Sequence, residues 1–213
     1  MTGQLFASDA ANRRLFTGKK RKARSEAAAF RPDRHTHLIF RFADGGPQLV
    51  FRDARKFGKV RYLDPGVEEP RLSKLGPDAL TATGPGLFEA TRKRRAPIKS
   101  VLLDQSVLAG VGNIYADEAL YLARVRPTRR ADRVTGAECT AIARAVRKVL
   151  ERSIAAGGSS ISDYVQPDGN DGSYQERRYA YARTGEPCRR CKTPIARVVI
   201  GQRSSHFCPS CQR

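Results

Sequence analysis

The sequence predicts an α+β fold: a β-hairpin region, a helical middle and a short C-terminal hairpin bracketed by cysteines. Three observations carry this. Residues 37–41 and 48–52 are short, β-prone and apolar, and they flank Ala43-Asp44-Gly45-Gly46-Pro47, a turn signal. Residues 139–154 place apolar side chains at helical spacing. Four cysteines near the C-terminus form two C-x2-C pairs.

Taken in order, residues 37–52 form a hairpin, and residues 59–63 are expected to add a further strand. Residues 64–90, rich in Pro, Gly and Thr, read as loop with one short helix. Pro97 opens a helical stretch, since its fixed φ suits a first turn. Gly110 and Gly112 then permit a tight turn, and Asn113 is expected to N-cap the next helix, which runs on through Leu122. Thr135 and Glu138 have capping-box spacing. Behind them Cys139, Ile142, Val146, Val149, Leu150 and Ile154 share one helical face, and Gly157-Gly158 stops that helix. Residues 158–187, rich in Gly, Ser and Asp, read as a long mobile loop.

The chain carries 40 Lys or Arg against 21 Asp or Glu, a formal net charge of +19. Residues 1–95, 96–157 and 158–213 hold +11, +4 and +4, so no neutral domain carries a basic tail. The densest runs are Lys19-Lys20-Arg21-Lys22 and Arg92-Lys93-Arg94-Arg95. Such a balance favours a polyanionic partner: DNA, RNA or an anionic membrane surface. Forty per cent apolar residues excludes a wholly disordered chain. No apolar run approaches the ~18–20 residues of a membrane helix, and the N-terminus lacks the apolar core of a secretory signal.

The cysteines are the sharpest chemical signal. Cys188-x2-Cys191-x16-Cys208-x2-Cys211 offers four thiolates from two tight turns joined by a hairpin. Four soft sulfurs suit one tetrahedral Zn2+, structural because no ligand position stays open for water. Two disulfides in a secreted module are disfavoured without a signal sequence. Arg189, Arg190, Lys192 and Arg197 offset the negative charge of such a site. Cys139 falls on the apolar helix face as a small buried hydrophobe. Residues 195–200 and 204–207 read as paired strands around Gly201-Gln202, with Arg203 near the tip. A guanidinium on a metal-stiffened hairpin suits a phosphate. The exposed N–H groups of the helix start at Asn113 also suit an anion, and G-x-G without a third glycine or G-K-[ST] argues against a nucleotide loop.

Several segments together resemble the bacterial formamidopyrimidine-DNA glycosylases of base-excision repair. They are Met1-Thr2-Gly3, Asp53-Ala54-Arg55-Lys56-Phe57-Gly58, Leu75-Gly76-Pro77, Ile98-Lys99, Leu103-Asp104-Gln105, residues 109–118 (AGVGNIYADE), Gly157-Gly158-Ser159-Ser160 and the C-terminal GQRSSHFCPSCQR. They span essentially the whole chain in the family's order. The resemblance implies three parts: a partial N-terminal β-sandwich with linker (1–95), a helix–two-turn–helix DNA-binding domain with a lesion-capping loop (96–183, loop 158–183) and a four-cysteine zinc-finger hairpin (184–213). It implies that Lys99, Asn113 and Arg203 clamp phosphates. It also implies that Met1, Arg55 and Phe57 fill the void left by a flipped nucleotide, where an apolar wedge and an Arg offset lost stacking. Gly172, Tyr174 and Gln175 match the lesion loop. The partner implied is damaged double-stranded DNA and not a membrane, with the protein a cytoplasmic, nucleoid-associated bacterial monomer.

Departures are Ala54 for a usual proline, Lys56 for a usual arginine and Ala182 where glycine is common. The family's N-terminal proline nucleophile, its glutamate and its catalytic lysine all precede the Met-Thr-Gly motif, so none of the catalytic residues is expected in this chain. Without that secondary amine no Schiff base forms at the sugar C1′. Residues 1–213 alone are expected to give no borohydride-trapped adduct on oxidised-purine DNA; a stable adduct would overturn this. The implied activity is that of a bifunctional glycosylase/lyase removing oxidised purines (formamidopyrimidine, 8-oxoguanine). The alternatives are a non-catalytic zinc-containing DNA-binding relative and a generic nucleoid or RNA binder. Wedge and lesion-loop residues, of little use without base flipping, favour the glycosylase.

Overall fold

A computed structural model describes residues 3–8, 32–159 and 173–213. Met1, Gly172 and the Lys19–Lys22 run lie outside the described residues. The chain forms two compact units, residues 1–62 with 156–175, and residues 63–155 with 176–213.

The first unit carries a three-stranded antiparallel sheet of order β1-β3-β2: β1 (Gly3–Ser8), β2 (Thr36–Phe40) and β3 (Gln48–Asp53). The hairpin forms as its turn residues dictate: Gly45 takes φ +73°, and Asp44 Oδ1 accepts the Gly46 N–H at 2.9 Å. Val50 is buried at 1% exposure with Ile39 packed on it, while Leu5, Leu38, Phe40 and Phe42 stay exposed. The described residues of this unit form this single three-stranded sheet. The strand expected at 59–63 does not form. Both edges of β3 are already paired, to β1 and β2, and residues 59–63 join neither outer strand.

The second unit is helical with an appended hairpin. It contains a 3-10 turn (Ala79–Thr81), α1 (Gly84–Thr91), α2 (Ile98–Leu103), α3 (Asn113–Ala123), α4 (Gly136–Ala155), β4 (Ala196–Ile200) and β5 (Arg203–Phe207). Ile98 and Leu102 of α2, Ala119 and Leu120 of α3, and Cys139, Ile142 and Val146 of α4 share one core at or near zero exposure. Leu87 of α1 joins that core, and residues 63–95 lie in the same compact unit as the helices. At Gly84 a Cβ would lie 2.7 Å from Thr140 Cα, which is what lets α1 approach α4. The capping box is realised: Thr135 N–H donates to Glu138 Oε2 at 2.8 Å, and Glu138 N–H donates to Thr135 Oγ1 at 3.3 Å. The apolar stripe of α4 runs out before its end, where Ile154 is 66% exposed.

Two expectations change in this unit. Gly112, not Asn113, is the N-cap of α3, and Asn113 is its first residue. The Asn113 amide is drawn away from its own backbone to the Ser204 carbonyl, 3.2 Å distant. Residues 173–187, expected to belong to a mobile loop, are held down. Tyr174–Arg177 form a 3-10 turn, and the N–H groups of Tyr179, Ala180 and Tyr181 all donate to the Glu118 carboxylate at 2.7–2.9 Å.

Candidate nucleic-acid interface and metal centre

The C-terminal hairpin is built by two sulfur knuckles and one tight turn. Arg190 N–H donates to Cys188 Sγ and Cys211 N–H to Cys208 Sγ, both at 3.4 Å. Each C-x2-C pair therefore closes on its first sulfur. The four Sγ atoms lie within 4.8 Å of one another, with Cys191–Cys208 at 3.4 Å and Cys188–Cys211 at 4.0 Å. A tetrahedron of Zn–S bonds near 2.3 Å has edges of about 3.8 Å. The donor set and its spacing fit one structural Zn2+, with no fourth position left for water. Between the pairs, β4 and β5 join through Gly201 (φ +54°) and Gln202 (φ +62°), and Ile200 faces Arg203. Two consecutive left-handed residues give the turn whose twist matches the strands.

Arg203 is exposed at the first position of β5, and its guanidinium makes no hydrogen bond or ion pair among the described residues. Immediately behind it, Ser204 is gripped from the helices. Its carbonyl accepts from Lys99 Nζ at 2.8 Å and from Asn113 Nδ2 at 3.2 Å. The helical unit thus brings the three expected phosphate ligands together around one backbone segment. It does not present them alike. Lys99 is buried at 0% exposure, its ammonium 2.6 Å from Asp117 Oδ1. Burial holds this amine below the usual lysine range, and the Asp117 charge opposes that shift. In this arrangement the Lys99 ammonium is occupied by the Asp117 carboxylate and the Ser204 carbonyl, beneath the surface that carries Arg203.

Asp117 is the hub of this arrangement. Besides Lys99 it accepts the His206 backbone N–H at 2.8 Å and lies 3.2 Å from His206 Nδ1. Its neighbour Glu118, also buried, binds residues 179–181. Burial raises the Glu118 pKa, and the three N–H donors act against that. Gln212 completes the docking, accepting from Cys208 N–H at 2.8 Å and donating to Val125 O at 2.9 Å. No role was read from the sequence for Asp117, Glu118 or Gln212. The available signal was two adjacent acids inside the apolar run Ala116–Leu120: buried carboxylates need partners.

In the first unit the expected wedge forms a loop organised by Asp53, itself 1% exposed. Its carboxylate accepts Arg55 N–H at 3.1 Å and Gly58 N–H at 2.6 Å. Lys56 takes φ +56°, and a Cβ at Gly58 would lie 2.4 Å from the Phe51 ring. The loop projects Phe57, 77% exposed, with the Arg55 guanidinium 5.7 Å from its ring centroid. Of the lesion-loop residues, Tyr174 is buried at 1% exposure, its N–H donating to Gly158 O at 3.2 Å, and Gln175 is half-buried.

These parts match known proteins along most of the chain. Residues 75–165 match the formamidopyrimidine-DNA glycosylase H2TH domain, and residues 185–213 match a zinc finger found in FPG and IleRS. A formamidopyrimidine-DNA glycosylase of Solibacter usitatus is 44% identical over 181 residues, covering 84% of this chain and 67% of that protein. One from Thioalkalivibrio sulfidiphilus is 43% identical over 183 residues, with the same coverage. The chain therefore spans about two thirds of the length of these relatives. Among solved structures, MutM (Fpg) from Thermus thermophilus superposes with a TM-score of 0.75 at 43% identity, over 85% of this chain and 70% of that one. The Lactococcus lactis Fpg in complex with abasic-site DNA gives 0.81 at 29% identity, over 100% and 72%. No helix among the described residues is long and apolar enough to cross a membrane. The order of the parts, the knuckle geometry and these identities agree: the chain belongs to the formamidopyrimidine-DNA glycosylase family.

Proposed function

We propose that this chain grips damaged duplex DNA for a bifunctional glycosylase/lyase of base-excision repair, acting on oxidised purines such as formamidopyrimidine and 8-oxoguanine. The observation that carries the reading is an exposed Arg203, unpaired among the described residues, on a hairpin held by buried partners. A backbone fixed in advance removes one part of the ordering cost of meeting a phosphate and leaves only that of the side chain, about 0.5–1.5 kcal/mol. Arg203 contacts the phosphate, the α3 start at Asn113 lies beside it, and Lys99 and Asn113 hold the Ser204 carbonyl. Family resemblance supports the rest. Arg55 and Phe57, with Met1, occupy the void beside the orphaned base, and Gly172, Tyr174 and Gln175 belong to the segment over the lesion. A Lactococcus lactis relative has been solved with DNA containing Fapy-dG. The protein acts as a monomer in the bacterial cytoplasm, associated with the nucleoid and not with a membrane. Cys188, Cys191, Cys208 and Cys211 are the zinc ligands.

Arg203→Ala is expected to weaken binding to all duplexes alike and to lower the slope of log affinity against log salt by about one. Fluorescence anisotropy across a salt series reads both. An unchanged slope would remove Arg203 from the interface.

A further inference from the structure

We infer that the Tyr121 hydroxyl is a hydrogen-bond donor to the zinc-bound Cys188 sulfur, and that this bond slows loss of the metal. The inference rests on the four-cysteine zinc site and adds a residue from α3 to it. Tyr121 is 1% exposed, and its Oη lies 3.2 Å from Cys188 Sγ. Cys188 is completely buried. A zinc-bound cysteine is a thiolate without a proton, so the hydroxyl is the only donor in the pair.

The ring cannot readily turn away. The Tyr179 ring stacks on it at 5.5 Å with an interplanar angle of 11°. The Arg190 guanidinium lies 4.5 Å from its centroid and donates to the carbonyls of Tyr121 and Leu122 at 2.8 and 3.2 Å. A cation over the ring draws electron density from the phenol and strengthens it as a donor. The four sulfurs are served unequally. Cys191 is exposed, and its hydroxyl neighbour, Thr193 at 3.3 Å, comes from its own turn. Cys188 receives its hydroxyl from the helical core. A hydrogen bond withdraws charge from a thiolate, making it slower to accept a proton or yield its metal to a competing ligand. Zinc should therefore be lost from the exposed Cys191 edge first, with Cys188 the last sulfur to let go.

Tyr121→Phe keeps the ring, the stack and the cation contact and removes only the donor. The full chain and this variant are loaded with zinc, and transfer of the metal to excess chromophoric chelator is followed. Release is expected to be about 10-fold faster in the variant. In the cobalt-substituted proteins the sulfur-to-metal charge-transfer band should move to lower energy in the variant, because an unbonded thiolate is easier to oxidise. Tyr179→Phe, which removes a hydroxyl facing Arg152, should change neither. Coincident bands and equal release rates would overturn the inference, as would a variant that is merely less stable with an unmoved band. Failure of the parent chain to retain one zinc would instead refute the metal site on which the inference depends.

Discussion

Removing zinc is expected to unfold the β4–β5 hairpin and abolish DNA binding while leaving the helices folded. Two strands of five residues each are at best marginal alone in water. The cluster beneath them is small: Cys188, Cys208, Ile195, Ala180 and Tyr121, with Tyr179, Leu122 and Cys211 partly buried against it. Zinc in a four-cysteine site contributes about 10–16 kcal/mol of binding free energy at neutral pH, and that energy is folding energy where no site exists in the open chain. Without the metal the four sulfurs, all within 4.8 Å of one another, take up protons and lose the bonds that tie the two turns together. Arg203 and the Ser204 carbonyl then lose their fixed places. The core of α2, α3 and α4 stands on its own contacts, so far-UV circular dichroism should keep its helical signal. Chelation with an excess of strong chelator, followed by metal analysis and anisotropy, checks this. A zinc-free chain that still binds duplex DNA with an unaltered salt slope would defeat the account.

Asp117→Ala is expected to be the most destabilising single substitution in the helical unit, at about 3–5 kcal/mol. The change leaves the Lys99 ammonium at 0% exposure with no counter-charge, and it strips the His206 N–H of its acceptor. Removing one member of a buried ion pair costs more than the pair is worth, because the survivor keeps its full desolvation penalty. The double substitution Lys99→Met/Asp117→Leu should therefore be more stable than Asp117→Ala, despite losing both charges. Urea denaturation of the three proteins measures this. A loss under about 1 kcal/mol for Asp117→Ala would mean that water reaches Lys99 and that the lock is open in solution. DNA affinity carries a second readout. If Lys99 acts by holding Ser204, the double substitution should still lose affinity even where stability is recovered, since no ammonium remains to grip that carbonyl.

Legibility differed element by element. The cysteine spacing specified the metal centre because two tight turns and a hairpin leave four sulfurs one way to meet. The Gly201-Gln202 turn and the Thr135–Glu138 box were equally local, each decided by residues within four positions of one another. Family resemblance singles out Arg55 and Phe57, yet the carboxylate that organises their loop, Asp53, carries no role in the sequence reading. Two readings failed for one reason: they treated a segment apart from its partners. Residues 59–63 have strand composition, but they pair with no strand among the described residues. Asn113 has N-cap chemistry, but Ser204, 91 positions away, took its amide.

Lys99 shows the same limit at the site itself. Its place in the motif marks it as functional, and its charge suits a phosphate. Only the docking of the zinc hairpin onto α2 and α3 decides that its ammonium points inward to Asp117. By itself the sequence determined the α+β class, the helix boundaries near Pro97 and Gly157, the zinc ligands and the polyanionic partner, all of which follow from local spacing or summed charge. The tertiary structure alone decided which charges are buried and paired inside the protein and which, like Arg203, stay exposed. That division depends on burial, and burial is set by contacts between residues about a hundred positions apart.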